Sequence, residues 1–391
     1  MHVYRRAAAM IGLLMFGAVS AVTAAHGAYA REDVVGHVYV DNNLDGANTV
    51  SVFDQGADGS LTLAPGSPFA VGGKGTGKGL SSQGPIQLST DGRYLLAVDA
   101  GSNQISVLRV HPNGSLTPAE GSPVSSGGVS PVSIAVHDHL VFVANSGGTS
   151  PNIAGFALNP GGHLRPLEGG PEPVPAGFTP GDVLFNRTGT NLVVTLLGPQ
   201  FSSPSATASY AVDDEGHLTA APGSPFHVKN AGTIGAEVRP TNPSQLFISN
   251  AHDGPLKGTV AAFSVARDGT VSAIGSPVPD NQTAPCWVEI SHDGRYLFTT
   301  NTASSSISSY SIAADGALTL IGSTTLRNPA GIGAIDLRLD PSGQYLYVTD
   351  SGLHAVSAFA VSGGTLTELG PSPFATNGGG SPAGIAVQQS D

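Results

Sequence analysis

The chain alternates apolar and polar positions in short runs, and those runs recur as a set. Leu88-Ser-Thr-Asp-Gly-Arg-Tyr-Leu-Leu-Ala-Val-Asp99 returns as Ile290-Ser-His-Asp-Gly-Arg-Tyr-Leu-Phe-Thr-Thr-Asn301 and as Leu339-Asp-Pro-Ser-Gly-Gln-Tyr-Leu-Tyr-Val-Thr-Asp350. Each copy is followed by an alternating strand (Gln104-Ile-Ser-Val-Leu, Ser306-Ile-Ser-Ser-Tyr, Ala355-Val-Ser-Ala-Phe), then a turn and a short fourth strand such as Gly114-Ser-Leu-Thr or Gly316-Ala-Leu-Thr. Period-2 alternation bounded by Gly, Asp, Asn and Pro predicts β-strands joined by tight turns. The fourth-strand residues Leu61, Leu116, Leu164, Leu218, Val271, Leu318 and Leu366 lie 55, 48, 54, 53, 47 and 48 residues apart. A four-strand unit at a period near fifty is a propeller blade, because one blade alone cannot bury both faces. A solenoid needs a shorter repeat and parallel strands.

The ends of the repeat agree with a closed ring. The first unit opens at Gly36-His-Val-Tyr-Val-Asp41, a second strand without a first, and the chain ends on Pro382-Ala-Gly-Ile-Ala-Val-Gln388, a first strand without a second. Joining them completes a seventh blade and leaves no open ring edge. The expected fold is all-β, a seven-bladed propeller of four-stranded antiparallel blades over residues 31–391.

Residues 1–30 read differently. Arg5 and Arg6 precede an apolar run from Ala7 to Ala25, and the segment ends Ala28-Tyr29-Ala30. A positive start, an apolar middle and small residues at −3 and −1 describe a cleaved secretory signal. A secreted or periplasmic protein is expected, with no membrane span after signal removal.

Composition narrows the partners. Of 391 residues, 53 are Gly and 29 Pro, and only 11% are charged, against about 25% in ordinary globular domains. That excludes a coiled coil or charged helical bundle. The formal net charge of −12 disfavours nucleic acid and anionic membrane. A small-molecule ligand in the channel and a monomeric state are expected. Cys286 is the only cysteine, so packing and strand pairing hold the fold without an intrachain disulfide.

The units resemble the seven-bladed propeller lactonase family, which includes 6-phosphogluconolactonase-like and muconate-lactonising-like proteins. The resemblance covers nearly all of residues 34–388. It rests on Asp91-Gly-Arg-Tyr-Leu95 and Tyr347-Val-Thr-Asp350 and on the Gly-Ser-Leu-Thr…Gly-Ser-Pro-Phe segments, Gly59 to Phe69 and its counterpart near Gly216 to Phe226. It implies the propeller fold and, as an expectation, hydrolysis of a small sugar or aromatic-acid lactone; a muconate-type cycloisomerase is a variant. The junctions where one blade passes to the next read Gly84-Pro85, Ser130-Pro131, Thr179-Pro180, Ile234-Gly235, Ala284-Pro285, Ile332-Gly333 and Ser381-Pro382. None carries the family's His-x-His or Gly-Pro-Arg-His signature, so no catalytic residue transfers by homology.

Candidate chemistry therefore comes from polar residues that break the repeat on channel-lining first strands. Three consecutive ones read Glu237-Val-Arg239, Trp287-Val-Glu289 and Asp336-Leu-Arg338, and residues two apart share a face. Arg239 or Arg338 is a candidate to hold a carboxylate and polarise a lactone carbonyl, and Glu237 or Glu289 to activate water. Trp287 is a candidate stacking platform; Asp336, Asp182 and Gln87 are further departures. The competing account pairs these charges across neighbouring blades. His252-Asp253, His354 and His227 fall in loops, where a His beside a carboxylate is a possible acid–base group. Asp41-Asn-Asn43-Leu-Asp45-Gly46 opens like a calcium loop but has Val52 where the bidentate Glu belongs; calcium at Asp41, Asn43 and Asp45 is a weak expectation, and no other metal is expected. The stretch Gly72 to Gly79 nearly spells a phosphate loop, yet Gly79 replaces the Ser or Thr, so a flexible insertion at the channel mouth is expected. Cys286 reads as a small buried residue.

Two functions remain. One is an exported lactone hydrolase; the other is a non-catalytic propeller scaffold that binds a small molecule, glycan or protein. An enzyme requires Glu289, Arg338 and Trp287 to converge on an open pocket. A scaffold requires a plugged channel with those charges paired internally.

Overall fold

Seven antiparallel sheets follow one another along the chain. The computed structural model describes residues 34–201, 204–328 and 333–390, so the segment expected to be a signal, 1–30, lies outside the described residues. Numbering the blades in chain order, the innermost strands of blades 2 to 7 are Ile86–Leu88, Pro131–His137, Thr179–Phe185, Thr233–Val238, Pro285–Ile290 and Ala334–Leu339. Blade 1 takes its innermost strand from the C-terminus: Gly384–Gln389 pairs antiparallel with Val34–Asp41, matching Val38 to Val387 and Asp41 to Gly384. The innermost strands touch in cyclic order and close on themselves. The fold is the expected seven-bladed, all-β propeller. No helix among the described residues is long and apolar enough to cross a membrane.

The core lies between blades. Phe247 and Ala262 of blade 5 pack with Leu297 and Tyr310 of blade 6 in one buried cluster, and Val38 and Phe53 of blade 1 pack with Tyr347 and Val356 of blade 7 in another. Each blade thus buries its two faces against different neighbours, which is why the repeat cannot stand alone.

The repeated motifs acquire local reasons. In Asp91-Gly-Arg93 the Asp91 carboxylate accepts from Ser89 Oγ (2.7 Å), from the Arg93 amide (3.1 Å) and from Arg93 Nε (2.6 Å), closing the turn between first and second strands. Gly92 sits there at φ 69°, in the left-handed region that Gly adopts without penalty. A Ser-Pro step, in Gly66-Ser-Pro-Phe69, Gly121-Ser-Pro-Val124, Gly223-Ser-Pro-Phe226 and Pro371-Ser-Pro-Phe374, breaks the outer strand of blades 1, 2, 4 and 7, and the chain resumes as a fifth short strand on the third. The break frees one third-strand amide, and the motif's Ser accepts from it: Val52 N to Ser67 Oγ and Val107 N to Ser122 Oγ (both 2.8 Å), Ser209 N to Ser224 Oγ and Ala358 N to Ser372 Oγ (both 3.0 Å). Blade 6 lacks the motif and blade 5 carries it as Gly275-Ser-Pro-Val278, yet both outer strands run unbroken, Leu318–Thr325 and Val271–Pro279.

Candidate functional site

An innermost strand presents one row of backbone N–H groups to the channel with no strand to pair them, and a buried unpaired N–H is costly. At one level of the ring these amides belong to Ile86, Ile134, Val183, Ala236, Val288, Leu337 and Ile385. Ile134 N donates to Gly84 O (2.9 Å). Val183 N donates to Ser133 Oγ (3.1 Å) and Ala236 N to Asp182 Oδ2 (3.1 Å). Leu337 N and Ile385 N donate to the two oxygens of Asp336 (2.9 and 3.3 Å). Each acceptor comes from the same or the preceding blade, so the ring is stitched by its own side chains. Ser133 Oγ also donates to Asp182 Oδ1 (3.0 Å), tying blade 3 to blade 4. Burial drives the Asp182 carboxyl well above its ordinary pKa, against its bonds to Ser133 and Ala236. Burial likewise raises Asp336 to about 7, partly offset by Arg338 and the two amides. Both predicted residues are thus placed in a belt around the channel.

Val288 N is served from across the ring. Blade 5 offers Gly235 at the equivalent place, and Gln83, just before blade 2, fills the gap: its Oε1 accepts from Val288 N and its Nε2 donates to Val288 O (both 2.9 Å). A Cβ on Gly235 would lie 2.4 Å from Gln83 Oε1. Gln83 N donates to Gly181 O of blade 4 (3.1 Å), and Ser82 Oγ to Val132 O of blade 3 (2.7 Å). Trp287 Nε1 donates to Ser82 O, and the indole is 4% exposed. Residues 82–84 therefore plug the channel on the side where the first strands begin, and Trp287 packs into that plug.

The glycine-rich stretch before the plug is pinned down, in contrast to the flexible insertion expected. Strand Phe69–Gly75 pairs with blade 1, and Gly77 N donates to Asn43 O (2.8 Å). Asn43 Oδ1 accepts from Thr76 N (2.8 Å) and its Nδ2 donates to Lys78 O (2.6 Å). The glycines answer close approach: a Cβ on Gly73 would sit 2.2 Å from Asp99 Cγ. Of the three calcium candidates, Asp41 Oδ1 accepts from the Asn43 amide (3.0 Å) and from Asn48 Nδ2 (2.9 Å), Asn43 serves this stretch, and Asp45 is exposed.

Beyond the belt, toward the far ends of the first strands, Arg338 Nη1 lies 2.9 Å from Glu289 Oε2 and 3.9 Å from Glu237 Oε2. Glu289 Oε1 also accepts from Leu339 N (3.1 Å). Glu289 is enclosed, its side chain 7% exposed, whereas Arg338 and Glu237 reach solvent at 22% and 27%. Burial works against the Arg338 charge, but Glu289, Asp336, Glu237 and Asp182 together hold its pKa above the ordinary value. Recession into the channel and then the Glu289 charge push Glu237 up to about 8, with Arg338 pulling the other way. Burial raises Glu289 as well, opposed by Arg338 and the Leu339 amide. The arrangement is one arginine anchored by an enclosed carboxylate, beside a second carboxyl that solvent reaches and that takes up a proton near neutrality.

The remaining candidates lie elsewhere. Arg239 follows the end of its strand and turns toward blade 6, donating to Gly294 O (2.7 Å), Gln245 Oε1 (2.7 Å) and Ala313 O (2.8 Å). Gln87 is half-buried on blade 2, and a Cβ on Gly84 would meet its Nε2 at 2.8 Å. The His252 ring stacks on Phe201 at 5.2 Å, and burial lowers its pKa. Its neighbour Asp253 accepts from Asn230 Nδ2 (2.6 Å) and Ala231 N (2.9 Å), so that carboxylate organises its own loop. Burial pushes the Cys286 thiol up to about 12, leaving no thiolate for attack. Sequence reasoning missed Ser82, Gln83 and Ser133. The available signal was Gly235, the absence of a side chain where blades 3, 4 and 7 carry Ser133, Asp182 and Asp336.

The model of a family described as lactonase, 7-bladed β-propeller, matches residues 26–178 and 238–389. The chain is similar to the periplasmic gluconolactonase of Pseudomonas aeruginosa, at 19% identity over 90% of this chain and 99% of that one, with a TM-score of 0.71. It is also similar to a Bacteroides fragilis protein provisionally named a 6-phosphogluconolactonase, at 17% identity over 92% and 99%, TM-score 0.71. A Sulfolobus tokodaii protein named a hypothetical selenium-binding protein matches at 12% identity over 91% and 95%, TM-score 0.65. Likeness at these identities establishes the fold alone. Among curated proteins, none matches the sequence.

Proposed function

Because the chain belongs to the seven-bladed β-propeller lactonase family, whose model spans most of its length, we propose that it hydrolyses a small lactone at the Glu237–Arg338 end of its channel. The observation that carries this reading is the pairing itself: a solvent-reached carboxyl with a pKa of about 8 lies 3.9 Å from an arginine anchored by a second, enclosed carboxylate. A base with a pKa near the working pH combines adequate ionisation with proton affinity. In this reading Glu237, ionised, takes a proton from water as the water oxygen bonds to the lactone carbonyl carbon. Arg338 donates to the carbonyl oxygen as its charge grows. The tetrahedral intermediate then expels the ring oxygen, which recovers the proton from Glu237, and the product is a hydroxy acid. Glu289 is the positioning residue that fixes the guanidinium. The plug directs the substrate to the mouth opposite residues 82–84 and takes Trp287 out of substrate contact. Export is part of the proposal, supported by the signal-like pattern that ends at Ala30.

The plug favours a second reading. A channel closed by Gln83 and Trp287, with Arg338 already paired, suits a non-catalytic scaffold that binds a small molecule, glycan or protein. A pH-stat assay over sugar and aromatic-acid lactones separates the two. Hydrolysis above the uncatalysed rate that is lost in Glu237→Gln and in Arg338→Ala, each correctly folded, supports the hydrolase. No turnover on any lactone sinks it and leaves the scaffold.

A further inference from the structure

Arg338 is outnumbered. The register of the first strands sets Glu237, Glu289 and Arg338 of blades 5, 6 and 7 at one level of the ring, paired with Phe247, Phe298 and Tyr347 of their second strands. Blades 1 to 4 set Ala386, Gln87, Ala135 and Leu184 at that level. One wall of the open mouth is therefore charged and the other uncharged. Asp182 and Asp336 lie one step inward, so four carboxyls act on a single guanidinium. The remaining cations are engaged or face the other way. Around the mouth Arg93 pairs with Asp91 (2.6 Å) and Arg295 with Asp293 (2.7 Å). Arg187 Nη1 donates to Pro240 O (2.9 Å), and Arg239 is taken up by Gly294 O and Ala313 O. Arg109, Arg165 and Arg267 lie on or beside third and fourth strands, out toward the rim. His292 lies near Glu289 on the exposed turn of blade 6, outside the ring. All four lysines belong to the plugged face, where second strands end and third strands begin. Lys74 is in strand Phe69–Gly75, Asn43 holds Lys78, Lys229 follows Phe226–Val228, and Lys257 lies in the loop between Asn250 and Thr259. Among the described residues, Arg338 is thus the one cation at the ring, and Glu289 already holds it at 2.9 Å.

We propose that this mouth takes an uncharged lactone and rejects one that bears a phosphate or carboxylate group. The inference rests on the hydrolase reading above and names the substrate class of that same site. An anionic substituent calls for charged donors, of which arginine and lysine are the usual ones. Here it would meet Glu237 and Glu289 instead, with the only guanidinium already paired. A neutral ring meets no such repulsion: its carbonyl takes the Arg338 donor while its body faces the uncharged wall. On that wall the half-buried Gln87 amide, without a hydrogen-bond partner among the described residues, is left for a ring hydroxyl. Specificity of this kind comes from a repulsive element against the wrong ligand as much as from contacts to the right one. The product is itself a carboxylate formed beside these acids, which favours its release.

Kinetics on D-glucono-1,5-lactone and on its 6-phosphate, with binding of the non-hydrolysable lactam and its 6-phosphate by calorimetry, test this. The neutral member of each pair should be favoured at least about 100-fold, in kcat/KM or in affinity, as like charges brought together demand. The gap should narrow as salt is raised, because screening weakens the repulsion. Gln87→Lys, which sets an ammonium across the ring from Arg338, should shrink the gap at least about tenfold by improving the phosphate ester. Similar kcat/KM for both lactones overturns the substrate class and leaves the hydrolase standing. No turnover of either lactone, with the lactam bound and its phosphate excluded, sinks the hydrolase and upholds the charge discrimination. A lactam phosphate that binds as tightly as the lactam overturns the proposal, as does failure of both to bind or a gap that Gln87→Lys leaves unchanged.

Discussion

Gln83 reaches across the ring to hold both backbone hydrogen-bonding groups of Val288, at 2.9 Å each. The contact links the segment before blade 2 to the innermost strand of blade 6, and it exists because blade 5 presents Gly235 where its neighbours present side chains. One amide side chain thus does for Val288 what Asp182, Ser133 and Asp336 do for other blades.

Removing that amide leaves a buried N–H and C=O without partners. Each uncompensated group costs about 1–3 kcal/mol, so Gln83→Ala should destabilise the protein by about 2–5 kcal/mol in urea unfolding. Gly235→Ala should cost a similar amount by the opposite route, since its methyl would lie 2.4 Å from both Gln83 Oε1 and Cys286 O. Losses under about 0.5 kcal/mol in both would mean that the plug contributes nothing to stability.

The ends of the second strands make a pH prediction. Blades 3, 5 and 6 place Asn145, Asn250 and Asn301 there, while blades 1, 2 and 7 place Asp41, Asp99 and Asp350. Burial raises Asp41 to about 7, and Asp99 and Asp350 to about 6. The neutral carboxylic acid fills the place of the amide. Folded pKa values above the unfolded one mean that the native state binds the extra protons, so stability is greatest below about pH 4 for these groups and falls as pH rises through 6 to 7. Asp41→Asn should remove one contribution, giving a melting temperature less sensitive to pH between 5 and 8 on the scale where one pK unit is about 1.4 kcal/mol. An unchanged slope would show that Asp41 ionises as freely in the folded protein as in the unfolded one.

The blades, their closure and their strand order were legible because a repeat states its own register: Leu61 to Leu366 mark seven equivalent places. Glu237, Glu289 and Arg338 stood out because they break that repeat on three consecutive strands. Arg239 was drawn in by the same rule, since spacing of two places it on the face of Glu237. The strand ends at Val238, and beyond it the side chain is free to take the carbonyls of Gly294 and Ala313. Gln83 and Ser82 were hidden for another reason. They lie outside any strand, and their partners, the Val288 backbone for Gln83 and the Trp287 indole for Ser82, lie 205 residues away, which leaves no mark on composition or spacing.

The two carboxylates near Arg338 should be separable by titration. The Glu289 charge raises the pKa of Glu237, and Arg338 lowers it. If Glu237 is the base, kcat/KM should rise with pH through about 8 and then level off. Glu289→Gln removes the raising charge, so the rising limb should move to lower pH even as loss of the anchor lowers the plateau by about 10- to 100-fold, the scale of a lost orienting contact. A limb that does not move, or moves upward, would exclude Glu237 as the group reported.

Arg239 and Arg338 offer the sharpest contrast, because the same side chain sits two residues from an acid in each strand and serves different ends. Arg239 spends its donors on Gly294 O, Gln245 Oε1 and Ala313 O. Arg239→Met should therefore cost about 2–4 kcal/mol of stability by orphaning buried acceptors, while leaving turnover per folded molecule within about two-fold. Arg338→Met withdraws the charge that polarises the carbonyl and frees Glu289 to bind a proton. Turnover should fall by about 100- to 1000-fold, as for loss of one oxyanion donor. Stability should drop as pH rises through the neutral range, because an enclosed Glu289 with no guanidinium pays the full cost of its charge. Urea unfolding and the lactone assay on both variants read the two axes separately, and equal effects on both axes for either arginine would remove the distinction between a stitch and a site.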